Sequence, residues 1–275
     1  MSDIVVACAT DSMSSYYKRW FPELTVIGHE DNIPHNLDLL ILTGGEDIAP
    51  ARYRQNANGA SGWNTERDGR EFNILDRVVS SGNGTKILGV CRGHQLLNVF
   101  YGGNLVQDMY SIGKDHYGVH NIVFKDSAHP LAWITKVNSL HHQALGSLGY
   151  GNGDTIIVAE EPDTRLIEMI TWGTISLGCQ FHPELWQNEL GDRFFSIIRK
   201  WVLGEVSLLP PGYEFDHDDD EDDEDEEMED EEMEDEEMED DNTHTNLILD
   251  WSAITHHTGM NMNVPIPRPI NTNGE

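Results

Sequence analysis

The sequence predicts an α/β fold in which helices cover a parallel sheet. Three observations predict it. Between Ile4 and Leu203, short β-branched or leucine-rich runs alternate with longer stretches of helical periodicity, the rhythm of strand–helix–strand units. One run, Leu39 to Leu42, is apolar at every position, as a strand buried on both faces must be. A chain of 275 residues can also fill such a core without disulfide staples.

Taken in order, the first strand is Ile4–Ala7, inside an apolar run of six residues that ends at Ala9. Strands at Thr25–Ile27 and Leu37–Leu42 follow. Arg67–Ser80 places Phe72, Leu75, Val78 and Val79 at helical spacing, so one face of that helix is apolar. The strand Lys86–Val90 runs into a helix over Gly93–Tyr101, built on Leu96, Leu97, Val99 and Phe100. Strands at Thr155–Ala159, Leu166–Thr171 and Ile175–Phe181 precede a last helix, Leu190–Val202, whose stripe is Phe194, Phe195, Ile197, Ile198 and Trp201. Residues 1–209 therefore form the folded domain.

Charge divides the chain. The net charge is −32, but residues 1–215 hold 16 basic and 25 acidic side chains, whereas residues 216–275 hold one arginine, Arg268, against 24 acids. Such a molecule repels phosphate backbones, which argues against nucleic-acid binding. Past Pro210-Pro211-Gly212, Asp-Glu-Glu-Met-Glu repeats in tandem from residue 225 to residue 239. A methionine every fifth residue matches neither helical nor strand periodicity, and self-repulsion leaves nothing to offset ordering entropy. Residues 210–241 are expected to be a disordered acidic linker. Residues 242–275 regain Leu247, Ile248, Leu249 and Trp251 and form a peptide fit to dock on the body or on a partner. The longest apolar run is far short of the roughly 18 residues a membrane span needs, no basic leader precedes it, and the three cysteines form no framework. The expectation is a soluble, unsecreted, cytoplasmic protein.

The most informative stretch is Gly89-Val90-Cys91-Arg92-Gly93-His94-Gln95. An apolar strand enters Gly-x-Cys-x-Gly and passes directly into a helix, the cysteine form of a nucleophile elbow. The glycines relieve crowding on either side of a sharp turn, and the helix N-terminus favours a thiolate. A base is offered by Gln180-Phe181-His182-Pro183-Glu184. In extended chain, residues two apart project to one side, so Glu184 can orient His182 toward the thiol. Cys91, His182 and Glu184 are thus the candidate nucleophile, base and orienting acid.

These two stretches together resemble the class I glutamine amidotransferase superfamily. Further stretches resemble its γ-glutamyl-γ-aminobutyrate hydrolase-like branch: Leu42 through Pro50 its oxyanion loop, Arg67-Asp68 and Glu71 its pre-nucleophile helix, Asn98 through Asp108 its post-nucleophile segment, and Val137-Asn138-Ser139-Leu140-His141-His142-Gln143 its substrate loop. The resemblance runs collinearly over about residues 4–203 and leaves the acidic tail without a counterpart. It implies a three-layer αβα, flavodoxin-like fold and hydrolysis of a γ-glutamyl amide through a thioester on Cys91, with His182 passing the proton to the leaving amine. It also implies substrate contacts from Gly44, Gln95, His141, His142 and Gln143. The backbone N–H groups of Gly45 and Arg92 are suited by position to stabilise the oxyanion.

No cofactor and no metal are expected. Gly44-Gly45 lacks the lysine of a phosphate-binding loop, and His116, His120 and His129 are spaced within a glycine-containing loop that fits no closed tetrahedral site. The partners implied are a small γ-glutamyl substrate, a separate synthase or ligase if the chain is a glutaminase subunit, and a basic protein for the acidic tail. Three activities stay open: a free-standing hydrolase, an ammonia-delivering subunit, and an interaction protein acting through its tail.

Overall fold

The computed structural model of the chain describes residues 4–113, 117–150, 155–210 and 213. His116, the acidic run and the peptide 242–275 lie outside those residues, and the expected linker is described only at Pro210 and Tyr213. The first half contains β1 (Val6–Cys8), α1 (Ser14–Tyr17), β2 (Thr25–Val26), β3 (Leu39–Leu42), α2 (Thr65–Ser80), β4 (Lys86–Val90), α3 (Arg92–Phe100) and β5 (Leu105–Val106). The second contains β6 (Tyr117–Asn121), β7 (Val123–Phe124), β8 (Lys136–Leu140), β9 (Ala144–Leu145), β10 (Thr155–Glu160), β11 (Ile167–Trp172), β12 (Ser176–Cys179) and α4 (Glu189–Val202).

Eight strands form one sheet in the order β2-β1-β3-β4-β12-β11-β10-β7. Pairings from β2 across to β12 are parallel, and the three beyond, to β11, β10 and β7, are antiparallel. The mostly parallel α/β sheet expected from sequence is present, with an antiparallel edge added. All four side chains of β3 are fully buried because its neighbours alternate faces in the same way. Leu39 and Ile41 join Cys8, Leu88, Tyr17, Phe194, Phe195, Ile198 and Trp201 on one side. Leu40 and Leu42 join Ala7, Ile87, Ile74, Leu75, Val78, Leu96 and Leu97 on the other. Helices α1 and α4 therefore cover one face and α2 and α3 the opposite one, giving three layers. Each such buried leucine is worth about 2 kcal/mol.

Local chemistry sets the helix starts. The Asn64 side chain accepts hydrogen bonds from the N–H groups of Glu66 (3.1 Å) and Arg67 (3.0 Å) at the head of α2, and Asn188 accepts from Leu190 (3.0 Å) at the head of α4. Both are N-caps of the kind that satisfies otherwise orphaned amide donors. β3 begins two residues later than the expected strand Leu37–Leu42, because the Asp38 carboxylate accepts the Val5 N–H (2.7 Å) and the Leu37 carbonyl accepts the Thr85 hydroxyl (2.7 Å). Likewise β12 stops at Cys179, where Gln180 N–H turns to the Glu168 carbonyl (2.9 Å).

The stretch holding His120, expected as loop, is strand β6, paired antiparallel with β8. Its tie to β8, which carries buried Val137 and Ser139, forms a small second sheet, and β5 with β9 forms a third.

Packing is especially close where β4 meets α3. A Cβ on Gly93 would stand 2.1 Å from the Leu42 carbonyl oxygen, and one on Gly89 would stand 2.5 Å from the Gly93 carbonyl oxygen. Both obstacles are backbone, so neither can swing aside. Gly93→Ala is expected to destabilise the domain by about 3 kcal/mol, the upper end of overpacking costs, read as a lower urea midpoint at unchanged slope. A wild-type midpoint would show that α3 can lift from the sheet at little cost.

Candidate functional site

Cys91 stands between β4 and the first residue of α3 with φ 52° and ψ −105°. A non-glycine residue in the positive-φ region costs on the order of 1–3 kcal/mol and persists only where the surroundings impose it. Here they do. The Cys91 N–H donates to the Cys179 carbonyl (2.8 Å) and the Cys91 carbonyl accepts from Gln95 N–H (3.1 Å), while the two glycines permit the close approach. The side chain is held at the end of the parallel strands, where ligands of open α/β sheets bind.

His182 is fixed from two directions. Its backbone N–H donates to Asn138 Oδ1 (2.8 Å) and its carbonyl accepts from Asn138 Nδ2 (2.9 Å), so one amide side chain imitates a strand partner. Its ring Nδ1 lies 2.6 Å from Glu184 Oε1, and Glu184 is fully buried. An ionised carboxylate only accepts, so Nδ1 carries the proton and Nε2 is left for the thiol. Burial opposes charge on the ring. The neighbouring Cys91 thiol, then Glu184 through its hydrogen bond and charge, outweigh it and raise the His182 pKa to about 10. Gly44 lies against the same ring, since a Cβ there would come within 2.9 Å of His182 Cε1.

The pairing of His182 with Glu184 does not come from extended chain, as the spacing had implied. Residues Pro183–Leu185 form a 3-10 turn closed by Leu185 N–H on the His182 carbonyl (3.3 Å). Pro183, with its fixed φ, sits at the first position of that turn, and the turn folds the carboxylate back onto the ring.

The other candidate residues divide into two groups. Gln95 and Gln143 are brought together: Gln95 Nε2 donates to the Gln143 carbonyl (3.1 Å) and to Gln180 Oε1 (3.2 Å). All three glutamines are buried. His141 turns its Nδ1 back to the Gln143 carbonyl (2.8 Å), inside its own loop. His142 faces another way, with Nε2 3.0 Å from Asp47 Oδ1 and Nδ1 3.8 Å from Asp108 Oδ1. The hydrogen bond to Asp47 raises the His142 pKa against the opposing effect of burial. His142 thus ties together the loop after β3 and the segment after β5.

A buried ionic web underlies the elbow. Arg92 pairs with Asp68 and with Glu71 Oε2, and Glu71 Oε1 also accepts from Arg67 Nε (2.9 Å) and the Thr10 hydroxyl (3.1 Å). The sequence stretches that resemble the family contain Arg67, Asp68, Glu71, Asn138 and Gln180, but none of the five is given a task there. Apart from the Arg67–Glu71 pair, four residues apart on α2, their partners lie far along the chain, so spacing carries little signal for them.

Among the described residues, no group of three or more His, Cys, Asp or Glu side chains is arranged to hold a metal ion. His120 Nε2 lies 3.2 Å from Glu168 Oε1, and His129 Nε2 lies 3.2 Å from the Leu208 carbonyl, so each has a separate neighbour. No helix among them is long and apolar enough to cross a membrane.

The frame is that of the glutamine amidotransferases. A Thermotoga maritima glutamine amidotransferase of known crystal structure is similar with a TM-score of 0.53 at 13% identity, over 74% of this chain and 99% of its own. A Thermoplasma acidophilum protein, provisionally described as one component of a GMP synthase, is similar with a TM-score of 0.52 at 17% identity, over 74% and 94%. At those identities the likeness is one of fold.

Sequence carries it further. The Peptidase C26 family model matches residues 22–184, and the chain belongs to that family, within the class I glutamine amidotransferases. It is 34% identical over 169 residues to a Schizosaccharomyces pombe protein provisionally named glutamine amidotransferase PB2B2.05, across 56% of this chain and 64% of that one. The chain thus spans just under two thirds of that relative's length.

Proposed function

We propose that the chain hydrolyses γ-glutamyl amide bonds, with glutamine or a γ-glutamyl amine as substrate, through a glutamyl thioester on Cys91. One observation carries this reading: the His182 ring is gripped by buried Glu184 at 2.6 Å while the thiol of a strained elbow cysteine acts on the same ring to raise its pKa. In this mechanism the Cys91 sulfur attacks the γ-carbonyl carbon, and the carbonyl oxygen takes up the negative charge. The N–H groups of Gly45 and Arg92 receive that charge. Arg92 is the first residue of α3, so its amide has no partner within the helix. His182 then gives its proton to the departing amine, the C–N bond breaks, and the thioester remains. Water, deprotonated by His182, releases glutamate and restores the thiol. Gln95, Gln143 and the His141–His142 turn hold the α-amino and α-carboxylate groups, with Gly44 flooring the pocket.

The test is release of ammonia from glutamine, and of amine from γ-glutamyl-aminobutyrate and γ-glutamyl anilides. Turnover that is saturable and lost on thiol alkylation is the expected result. Absence of turnover on all of them would defeat the proposal for this chain acting alone.

A second reading, a glutaminase that hands ammonia to a separate synthase, is favoured by the likeness in fold to the GMP synthase component. It predicts slow glutamine hydrolysis that accelerates when a synthase is added. A rate on γ-glutamyl amines exceeding that on glutamine argues for the free-standing hydrolase of the γ-glutamyl-γ-aminobutyrate branch.

A further inference from the structure

We propose that Arg67 is a positioning residue that orients the oxyanion donors, an inference that rests on the hydrolase reading above. Arg67 is 4% exposed and uses its guanidinium on three sides. Nε meets Glu71 Oε1 at 2.9 Å, and Nη1 meets Glu46 Oε2 at 2.7 Å. Nη2 meets the Gly44 carbonyl at 3.0 Å, the Thr43 carbonyl at 3.4 Å and the Thr43 hydroxyl at 3.3 Å. These last contacts fall on the loop that leaves β3, the loop that supplies Gly45.

Peptide geometry gives the contacts their meaning. The Gly44 carbonyl and the Gly45 N–H belong to one trans peptide plane and point in opposite directions. Pulling the carbonyl onto Arg67 therefore turns the Gly45 N–H away from the guanidinium. The neighbouring Gly44 Cα already lies against the His182 ring, so the N–H is presented on the side where the thiol and imidazole meet. The approach leaves no room for a side chain at residue 45, where φ is 154° and a Cβ would fall 2.1 Å from Arg67 Nη1.

The same carboxylates reach the second donor. Glu71 Oε2 and Asp68 Oδ1 hold Arg92, whose backbone N–H is the other proposed donor, and Asp68 Oδ2 accepts the Ala49 N–H at 3.0 Å, at the far end of the oxyanion loop. Helix α2 is thus the common brace for both donors. Arg67, Arg92, Asp68 and Glu71 are all buried and sum to no net charge. Buried ion pairs give little net stability over apolar packing, whereas a planar five-donor fork fixes several acceptors at defined angles. A lysine ammonium has neither the planarity nor the span to do so.

The test compares wild type with Arg67→Lys and Arg67→Gln on whichever γ-glutamyl amide the wild type turns over, alongside the pH profile of Cys91 alkylation by iodoacetamide. Alkylation displaces iodide at a saturated carbon and forms no oxyanion. The expected result is a kcat lower by roughly 10²-fold, the scale of losing one oxyanion donor, with KM changed less than about threefold, as for an interaction made only in the transition state. The alkylation profile stays that of wild type. A folded variant that keeps kcat within threefold overturns the proposal, as does a loss confined to KM or a parallel slowing of alkylation. Failure of both variants to fold also overturns it, because it assigns Arg67 to holding the domain together. Inactivity of the wild type is a different outcome, seen before any variant is made, and it defeats the hydrolase reading itself.

Discussion

Cys91→Ala is expected to lower the turnover of any γ-glutamyl amide by about 10⁴-fold or more, since removal of a nucleophile leaves only binding and oxyanion stabilisation. Ammonia and amine release, measured at high enzyme concentration, check it. Retained turnover within tenfold of wild type would mean that another group attacks. A paired measurement uses the backbone. Cys91 occupies φ 52° and ψ −105°, a conformation that glycine adopts without penalty and alanine does not. Cys91→Gly should be as inactive as Cys91→Ala yet more stable than it by about 1–2 kcal/mol. Equal stability would show that the elbow relaxes once the sulfur is gone. The comparison separates what the thiol does in the reaction from the strain at which the fold holds it.

That elbow was legible in the sequence because every determinant is local. Val90 ends an apolar run, Gly89 and Gly93 bracket the thiol, and Leu96 with Leu97 begins an apolar helix stripe within a few residues. The consecutive apolar residues of β3 were equally plain, since burial on both faces removes any alternation that could mislead. The small sheets were not. Tyr117 and Val119 of β6 are 55% and 72% exposed, so the strand buries little apolar surface and is held by its pairing with β8. Arg67, Asp68 and Glu71 have the look of a charged helix face turned to water. Arg92, which the elbow brings back from more than twenty residues away, pairs with Asp68 and Glu71, and the loop after β3 closes over Arg67. The His182–Glu184 spacing was readable as a pair, but for the wrong local reason, because a 3-10 turn begun by Pro183 replaces the extended chain. Local steric rules could be read directly, whereas a contact between distant segments became visible only once the sheet had assembled.

His182→Gln should lower kcat/KM by about 10³- to 10⁴-fold at neutral pH, the upper part of the range for general acid–base catalysis, and the wild-type pH profile should carry the signature of its environment. The ring is buried, which favours the neutral form, yet the Cys91 thiol and Glu184 raise its pKa to about 10. The charged ring is the form that donates to the leaving amine. Turnover by wild type should therefore persist well above the ordinary histidine value near 6.5 and fall as pH rises through about 10. Glu184→Gln removes one of the two raising groups, so its basic limb should move to lower pH. A wild-type limb centred near 6.5 would show that the ring is not paired in this way. Stability follows the same linkage. A folded-state pKa above the unfolded value means that the stabilisation from His182 is fully present below pH 6.5 and is lost as pH rises through about 10. Urea unfolding of wild type and His182→Gln should therefore diverge most at pH 6 and converge above pH 10. Because turnover and stability both depend on the protonated His182 ring held between the thiol and the buried carboxylate, the two curves should lose their basic limbs over the same pH interval.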